Sequence, residues 1–542
     1  MTTSFRVARA CGLGLSLSLA SGVLAQWTSD PTVNTPIHAG AGDQGVPLVR
    51  PTADGGAWIS WADNSAGAGY KHRVQRLNAL GEPQLPAGGI VINTRTSTQT
   101  NVYDLEVDAS GAALVTYDNG GIHLQRVLPD GTLAFGSAGL LMPGSATVSA
   151  QVAPCGDGGS VVCWGSGATL NFRRVTAGGG LGTTWTFTET GRAQVPSDML
   201  GVGAGGDFIL LWVRAEGTNV VTSRKGLKIQ KWDGADVQAW NGGVPVDVYT
   251  SSASPSRGIQ VGYFPQLVSD GSGGAIAAWY DTGATRNAWV QHYLADGTAR
   301  FPANGAAASA ADVSTELRLS ASVAYHAADD AYTVAYETAT PTQSAFGLRA
   351  QRLDSAGATL WGGAGAEIMP TTGNHASFVS TNTAPDGDAI VTWLNYTGAN
   401  GPMLVSATRL AAESGAPAWS PAILGVSTNA TSKGRLSVAK THGSDMLVAV
   451  WADGAAGSAD VLAQNINADG TLGAPTPGCD GIDFNGDGLF PDNQDLEDFF
   501  SVFGGGPCST GTCGDIDFNN DQLFPDNADL EAYLSVFGGG NC

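Results

Sequence analysis

The chain has 542 residues, a formal net charge of −22 and only 14% charged residues, with 76 glycines and 14 tryptophans. That length is too great for one ordinary core and suits a large repeat domain with a smaller companion. Sparse charge with abundant Gly and Trp fits a β-rich protein with many tight turns, and the acidic balance argues against nucleic acid or an anionic membrane surface as a partner.

Residues 1–25 read as a secretory signal. Arg6 and Arg9 precede an apolar run from Cys11 to Leu24, and Val23-Leu24-Ala25 offers small residues for cleavage before Gln26. The run is short and rich in Gly and Ser, which disfavours a membrane anchor. No later stretch approaches membrane-spanning length, so an exported protein without a membrane span after cleavage is expected. Six cysteines then remain: Cys155, Cys163, Cys479, Cys508, Cys513 and Cys542. An even count in an exported chain favours disulfides. Cys155 and Cys163 flank the turn GDGGS and could close a hairpin. In the tail, Cys479–Cys508 with Cys513–Cys542 is the simplest pairing, although four cysteines allow three connectivities.

Residues 26–475 carry a weak repeat. Each unit has an apolar run, a turn such as SDGSGG or APDGD, and a short strand ending on an aromatic anchor. A variable loop, a strand around Gln-Arg-Leu, a turn such as ADG or SAG, and a last short strand complete it. The anchors are Trp61, Tyr117, Trp164, Trp212, Trp279, Tyr336, Trp393 and Trp451, spaced by roughly 47 to 67 residues. Repeats of this length built from short strands and Gly-rich turns predict an eight-bladed β-propeller. Seven blades plus an irregular unit around Trp164 is the alternative. One four-stranded blade cannot cover both its apolar faces, whereas blades in a ring cover each other. The eighth unit runs out after Gly470, where its last strand is due. The segment DPTVNTPIHAG resembles that missing strand, so residues near Thr32–Ile37 are expected to pair with the final blade.

Within this region the anchors read as core and not as sugar-stacking platforms, because they occupy one fixed position of an apolar strand. The arginines of the Gln-Arg pairs are expected on a solvated face or bonded to a neighbouring blade. The seven histidines are scattered, with no H-E-x-x-H, nucleophile elbow or Walker loop. Asp63, Asp118, Asp281, Glu337 and Asp453 follow the anchors closely and reflect a shared turn. A glycosidase needs only two suitably spaced carboxylates, but no specific catalytic signal stands out.

The last segment, 476–542, states its chemistry twice. CDGIDFNGDGLFPDNQDLEDFFSVFGGGPC is followed 34 residues later by CGDIDFNNDQLFPDNADLEAYLSVFGGGNC, with thirteen carboxylates and no Lys or Arg between Cys479 and Cys542. Such like charge repels itself unless neutralised, and oxygen ligands spaced D-x-N-x-D suit Ca2+. Asp483, Asn485 and Asp487 can face one ion, Gly488 permits the sharp turn, and Leu489 can offer its carbonyl, with Leu523 its counterpart. A helix follows from near Asn493 or Asp495, with Leu496, Phe499, Phe500 and Phe503 on one face and Leu530, Tyr533, Leu534 and Phe537 in the second copy.

The tail resembles a tandem dockerin-type module, specifically the GC-type dockerin tails with a C-terminal GGxC on secreted planctomycete-like proteins. That resemblance implies an EF-hand-like domain with two calcium loops, each followed by a helix. It implies ligands Asp483, Asn485, Asp487 and a later carboxylate for one ion, and Asp517, Asn519, Asp521 and a later carboxylate for the other. The usual last ligand is twelfth in the loop. Here Asp495 and Asp529 are thirteenth, so the closing ligand is Asp492 or Asp495, and Asp526 or Asp529. Gln522 replaces the loop glycine in the second copy. The preceding region is more loosely similar to PQ-x-V-x-D-G-x-G-G-A-x-x-x-W repeats of bacterial exported proteins. The resulting expectation is a secreted, non-catalytic propeller that binds a protein or glycan. Its tail would dock to a cohesin-like or cell-surface partner. The alternative is a dockerin-bearing glycoside hydrolase.

Overall fold

The computed structural model describes residues 27–473 and 480–538, apart from 144–149, 157, 254–255, 284–285, 311–314, 398–400, 443–444, 490–491 and 520–524. The expected signal, Cys479, Cys542, Asp521 and Leu523 lie outside the described residues.

Among the described residues strands dominate, as eight four-stranded antiparallel sheets and one two-stranded hairpin. Seven sheets are simple meanders in chain order. Their innermost strands are Gln44–Pro51, Asp104–Val107, Ala150–Pro154, Gln194–Val202, Leu267–Ser269, Leu317–His326 and Asn374–Thr383. The eighth takes Lys433–Lys440, Leu447–Asp453 and Asp460–Ile466 from the end of the domain and Thr35–His38 from its beginning. Each innermost strand packs beside that of the next blade, and the eighth returns to the first. This is a closed eight-bladed propeller. The unit around Trp164 forms a full blade, with strands Ser160–Ser166, Thr169–Val175 and Leu181–Thr188 joined by short turns. Its brevity in the sequence reflects tight hairpins.

The closing strand pairs Thr35 with Ala463, Pro36 with Leu462 and His38 with Val461. Its burial alternates, Thr35 and Ile37 facing in and Pro36 out, the period of a half-buried strand.

All eight anchor aromatics are essentially solvent-free. Each sits near the end of a second strand, and seven fall in apolar clusters shared with the preceding blade. Trp279 packs with Ile209 and Leu211, and Trp451 packs with Ile390 and Leu394. The rings fill the wedge between blades, as expected of core residues.

The glutamines of the third strands are clamps. Gln291 donates from Nε2 to the carbonyls of Phe301 and Pro302 and accepts from the backbone N–H groups of Phe301 and His292. Gln75 does the same at Leu85, Pro86 and Arg76. A buried amide thereby satisfies loop backbone that would otherwise be orphaned. The neighbouring arginines pair with carboxylates in the turn between the first two strands, and several also reach the next blade: Arg126 bonds Asp108 and the Ala177 carbonyl, and Arg409 bonds Asp388 and the Ala468 carbonyl.

A second tryptophan set was not anticipated. Trp240, Trp361 and Trp419, on the loops before the fourth strands, donate their indole N–H to Ala295, Ala412 and Ala468 of the next blade. Their rings lie on Gly297, Gly415 and Gly470, all at positive φ, where any Cβ would collide with the indole. Trp27 plays this part at the ring closure, donating to the Ala79 carbonyl and covering Gly81.

Cys155 and Cys163 do not form the expected hairpin disulfide; both are buried thiols. In the hairpin Cys163 lies opposite Gln151, while the backbone N–H of Cys155 bonds to Gly159 at the turn. Four residues of offset along a strand is about 13 Å, beyond disulfide reach.

The tail contributes two helices, α1 (Asn493–Phe503) and α2 (Asn527–Phe537). Its core is Phe484, Phe499, Ile516, Phe518 and Tyr533.

Candidate functional site

The strongest chemistry lies in the tail, where the duplicated sequence yields a two-fold arrangement. The Asp480 N–H donates to the Phe518 carbonyl, and the Gly514 N–H donates to the Phe484 carbonyl. These are the same two positions of the repeat with donor and acceptor copies exchanged. Phe499 and Tyr533, also equivalent, stack at 3.9 Å between ring centroids with 5° between planes. The two loop–helix units therefore share one core across a pseudo-two-fold axis through that stack.

Each helix begins with a capping box that separates the two carboxylates competing to close the loop. The Asp492 side chain accepts from the Gln494 and Asp495 N–H groups at the helix start. Asp495 turns the other way, accepting from the N–H of Asn485 in the loop at 3.3 Å and from Asp492 at 3.1 Å. The second copy repeats this: Asp526 caps Ala528 and Asp529, while Asp529 accepts from Asn519 and Asp526. Asp495 and Asp529 are fully buried. Their partners among the described residues are backbone N–H groups, and a buried carboxylate is costly without a counter-charge, which an ion in the loop would supply.

The other side-chain oxygens of the first loop are held by the loop's own backbone. Asp483 accepts from the Asp487 and Gly488 N–H groups, Asn485 from Asp487, and Asp487 from Leu489. Gly488 sits at φ +80°, the turn that its lack of a side chain permits. Leu489 is exposed. In the second copy Asp517 and Asn519 occupy the matching positions and are both buried. These oxygens suit a hard cation such as Ca2+.

Asp498 has no acidic counterpart, its equivalent being Ala532. It accepts from the Ser509 N–H and hydroxyl and from the Asn485 amide. The Ser509 bonds hold its carboxyl below the usual range. This ties the first loop to the segment carrying the disulfide. That bridge joins Cys508 to Cys513, with Cα atoms 5.7 Å apart, and so replaces the pairing expected within each copy. The two-fold packing brings the end of one repeat against the start of the next, and the short intervening loop places these sulfurs together.

In the ring, the acidic residues after the anchors are held by local partners. Asp63 bonds Ser65 and Arg73, Asp118 bonds Asn101, Asp281 takes the Gly283 N–H, and Asp453 bonds Lys433, Thr431 and the Trp451 indole. Burial raises the carboxyl of Glu337 to about 8.

A second acidic group lines the inner strands. Arg50 meets Glu106 at 2.8 Å and Asp104 at 3.8 Å. Burial, reinforced by neighbouring carboxylates, pushes Glu106 to about 8 and Asp198 to about 7, and burial raises Asp104 as well. An acid that binds its proton more tightly when folded destabilises the fold as it ionises, so stability falls as pH rises from its unfolded value near 4 through its folded one. Between about pH 6.5 and pH 8.5 the ring should lose stability, by an amount on the order of 1–3 kcal/mol. Calorimetric melts of the full chain across that range should show a falling transition. Glu106→Gln should flatten the slope, and a transition that rises with pH would contradict this account.

No family model and no curated protein matches the chain. Solved structures with similar folds include a protein of unknown function from Dyadobacter fermentans (11% identity, TM-score 0.34, covering 70% of this chain and 98% of that one). The BP39L lectin from Burkholderia pseudomallei is another (12%, TM-score 0.40, 67% and 95%). Prolyl oligopeptidase B from Galerina marginata is a third (10%, TM-score 0.41, 76% of this chain), of which the match spans 55%. Among the described residues no helix is long and apolar enough to cross a membrane.

Proposed function

We propose that this chain is an exported, non-catalytic β-propeller carrying a calcium-binding, dockerin-like C-terminal module that docks it to a cohesin-like or cell-surface protein. The observation that supports this most is the placement of Asp495 and Asp529. Both carboxylates are buried, both turn toward a D-x-N loop, and no basic residue is present in the tail to neutralise them. Ca2+ would supply that neutralisation and couple the loops to the helices. Phe500 and Leu534, at equivalent positions of α1 and α2, are 46% and 43% exposed. Exposed apolar side chains at the two repeat-equivalent positions are suited to contact with a partner.

Calorimetric titration of the full chain with CaCl2, and MgCl2 as control, tests the metal reading. Saturation at two Ca2+ per chain is expected, with Mg2+ binding far more weakly. Absence of any calcium-dependent heat would end the proposal.

A further inference from the structure

A cavity of roughly 260 Å³ opens on the face of the ring where one blade leads into the next. Its wall combines Val102, which precedes the innermost strand of the second blade, with Val195, Val213 and Val220 of the fourth, and with Tyr263 and Phe264 on the way into the fifth. The lining is almost wholly apolar. A sugar, which needs many hydrogen bonds, is poorly served by such a wall, whereas a hydrocarbon or aromatic body is well served.

Two polar side chains interrupt this lining, Gln260, whose oxygen accepts from the Tyr280 hydroxyl, and the charged Lys225. Lys225 is only 5% exposed and donates from Nζ to the Ser223 carbonyl at 2.9 Å. Among the described residues it makes no ion pair, whereas Lys228 and Lys231 of the same strand meet Asp247 and Asp207. Burial lowers its pKa, with no carboxylate acting against that shift. An ammonium has three donors, and a buried charge without a counter-ion is costly. In a chain with 48 acidic residues against 26 basic ones, the acid missing beside Lys225 is notable.

We infer that this cavity binds a small organic acid, its branched or aromatic body among the valines and its carboxylate on the Lys225 ammonium. The inference is independent of the tail. It replaces the protein or glycan expected for the propeller by an amphipathic monocarboxylate. No bond is made or broken; the ligand supplies the counter-charge, and the cavity excludes water from its apolar part.

Calorimetric titration of the full chain with phenylacetate, 4-methylpentanoate and octanoate tests it, with phenylacetamide and acetate as controls. At least one of the three acids should bind. The favoured acid should bind at least tenfold more tightly than its own amide, and acetate should bind negligibly. Lys225→Met, which removes a buried charge and should fold, is expected to bring the acid-to-amide ratio to about one while apolar binding persists. Failure of all three acids, equal binding of acid and amide to the natural chain, or an unchanged ratio in Lys225→Met would each overturn the inference.

Discussion

Replacing both Asp495 and Asp529 by Ala is expected to abolish calcium binding by the full chain, with affinity at each loop falling at least a hundredfold. Each side chain is fully buried and accepts one N–H from its loop and one from its helix cap. On the proposed calcium reading, its removal takes away the buried carboxylate bonded to the loop backbone, and with it half of a capping box, the latter alone worth about 1 kcal/mol. The single variants should each leave one site, so the stoichiometry read by calorimetry falls from two to one. Asp492→Ala discriminates between the two carboxylates that could close the first loop. Its side chain is spent on the Gln494 and Asp495 N–H groups. That variant should therefore weaken the helix by about 1 kcal/mol and keep two ions bound. Loss of a site in Asp492→Ala with retention in Asp495→Ala would reverse the assignment.

Deleting residues 27–40 should lower the melting temperature of the ring by about 10 °C or more. Three kinds of contact go together. The Thr35–His38 strand leaves the eighth blade, exposing the ladder edge of Asp460–Ile466. Trp27, buried and hydrogen-bonded to Ala79, uncovers Gly81 and its neighbours. Gln464 loses the Thr28 carbonyl that it clamps and Asn34, which bonds its side-chain oxygen. Burying one large side chain contributes about 2–3 kcal/mol, so these losses together reach several kcal/mol, and an open ring also loses the cooperativity of closure. Differential scanning calorimetry of the truncated and full chains reads the effect. An unchanged transition would show that the N-terminal segment is an ornament and not a closing strand.

Much of this was legible in the residues alone. The anchors repeat at a fixed place in an apolar strand, so their burial followed from periodicity. The missing last strand of the final unit, together with a strand-like segment at the opposite end, foretold the closure. The tail declared its loops by a duplicated acidic pattern. Other features had a signal that went unread. Trp240, Trp361 and Trp419 each stand a few residues before a fourth strand, and each is followed one blade later by a turn glycine. Only the pairing of those two facts, some fifty residues apart, discloses the clasp. The disulfide was misjudged because cysteine spacing carries no information on how two copies pack.

The blade is written in the residues: four short strands, an aromatic near the end of the second, a glutamine in the third and a glycine in the turn. Each of these is set by local burial and turn geometry within about fifty residues. How blades address each other emerges only once the ring has closed. Asp104, Asp198, Ser322 and Ser437, from the even blades, occupy one position of the innermost strand and accept the N–H groups of Val152, Leu267, Thr381 and Val49 in the following blade. The ring is thus stitched in alternate joints. An aspartate and a serine look unrelated in a sequence, but each presents an oxygen to the same backbone donor. The same holds for Lys225 and its valines, which meet through three separate segments. Repeated local burial leaves a periodic trace along a chain; a contact between distant segments leaves none, because its partners are chosen by the curvature of the closed ring.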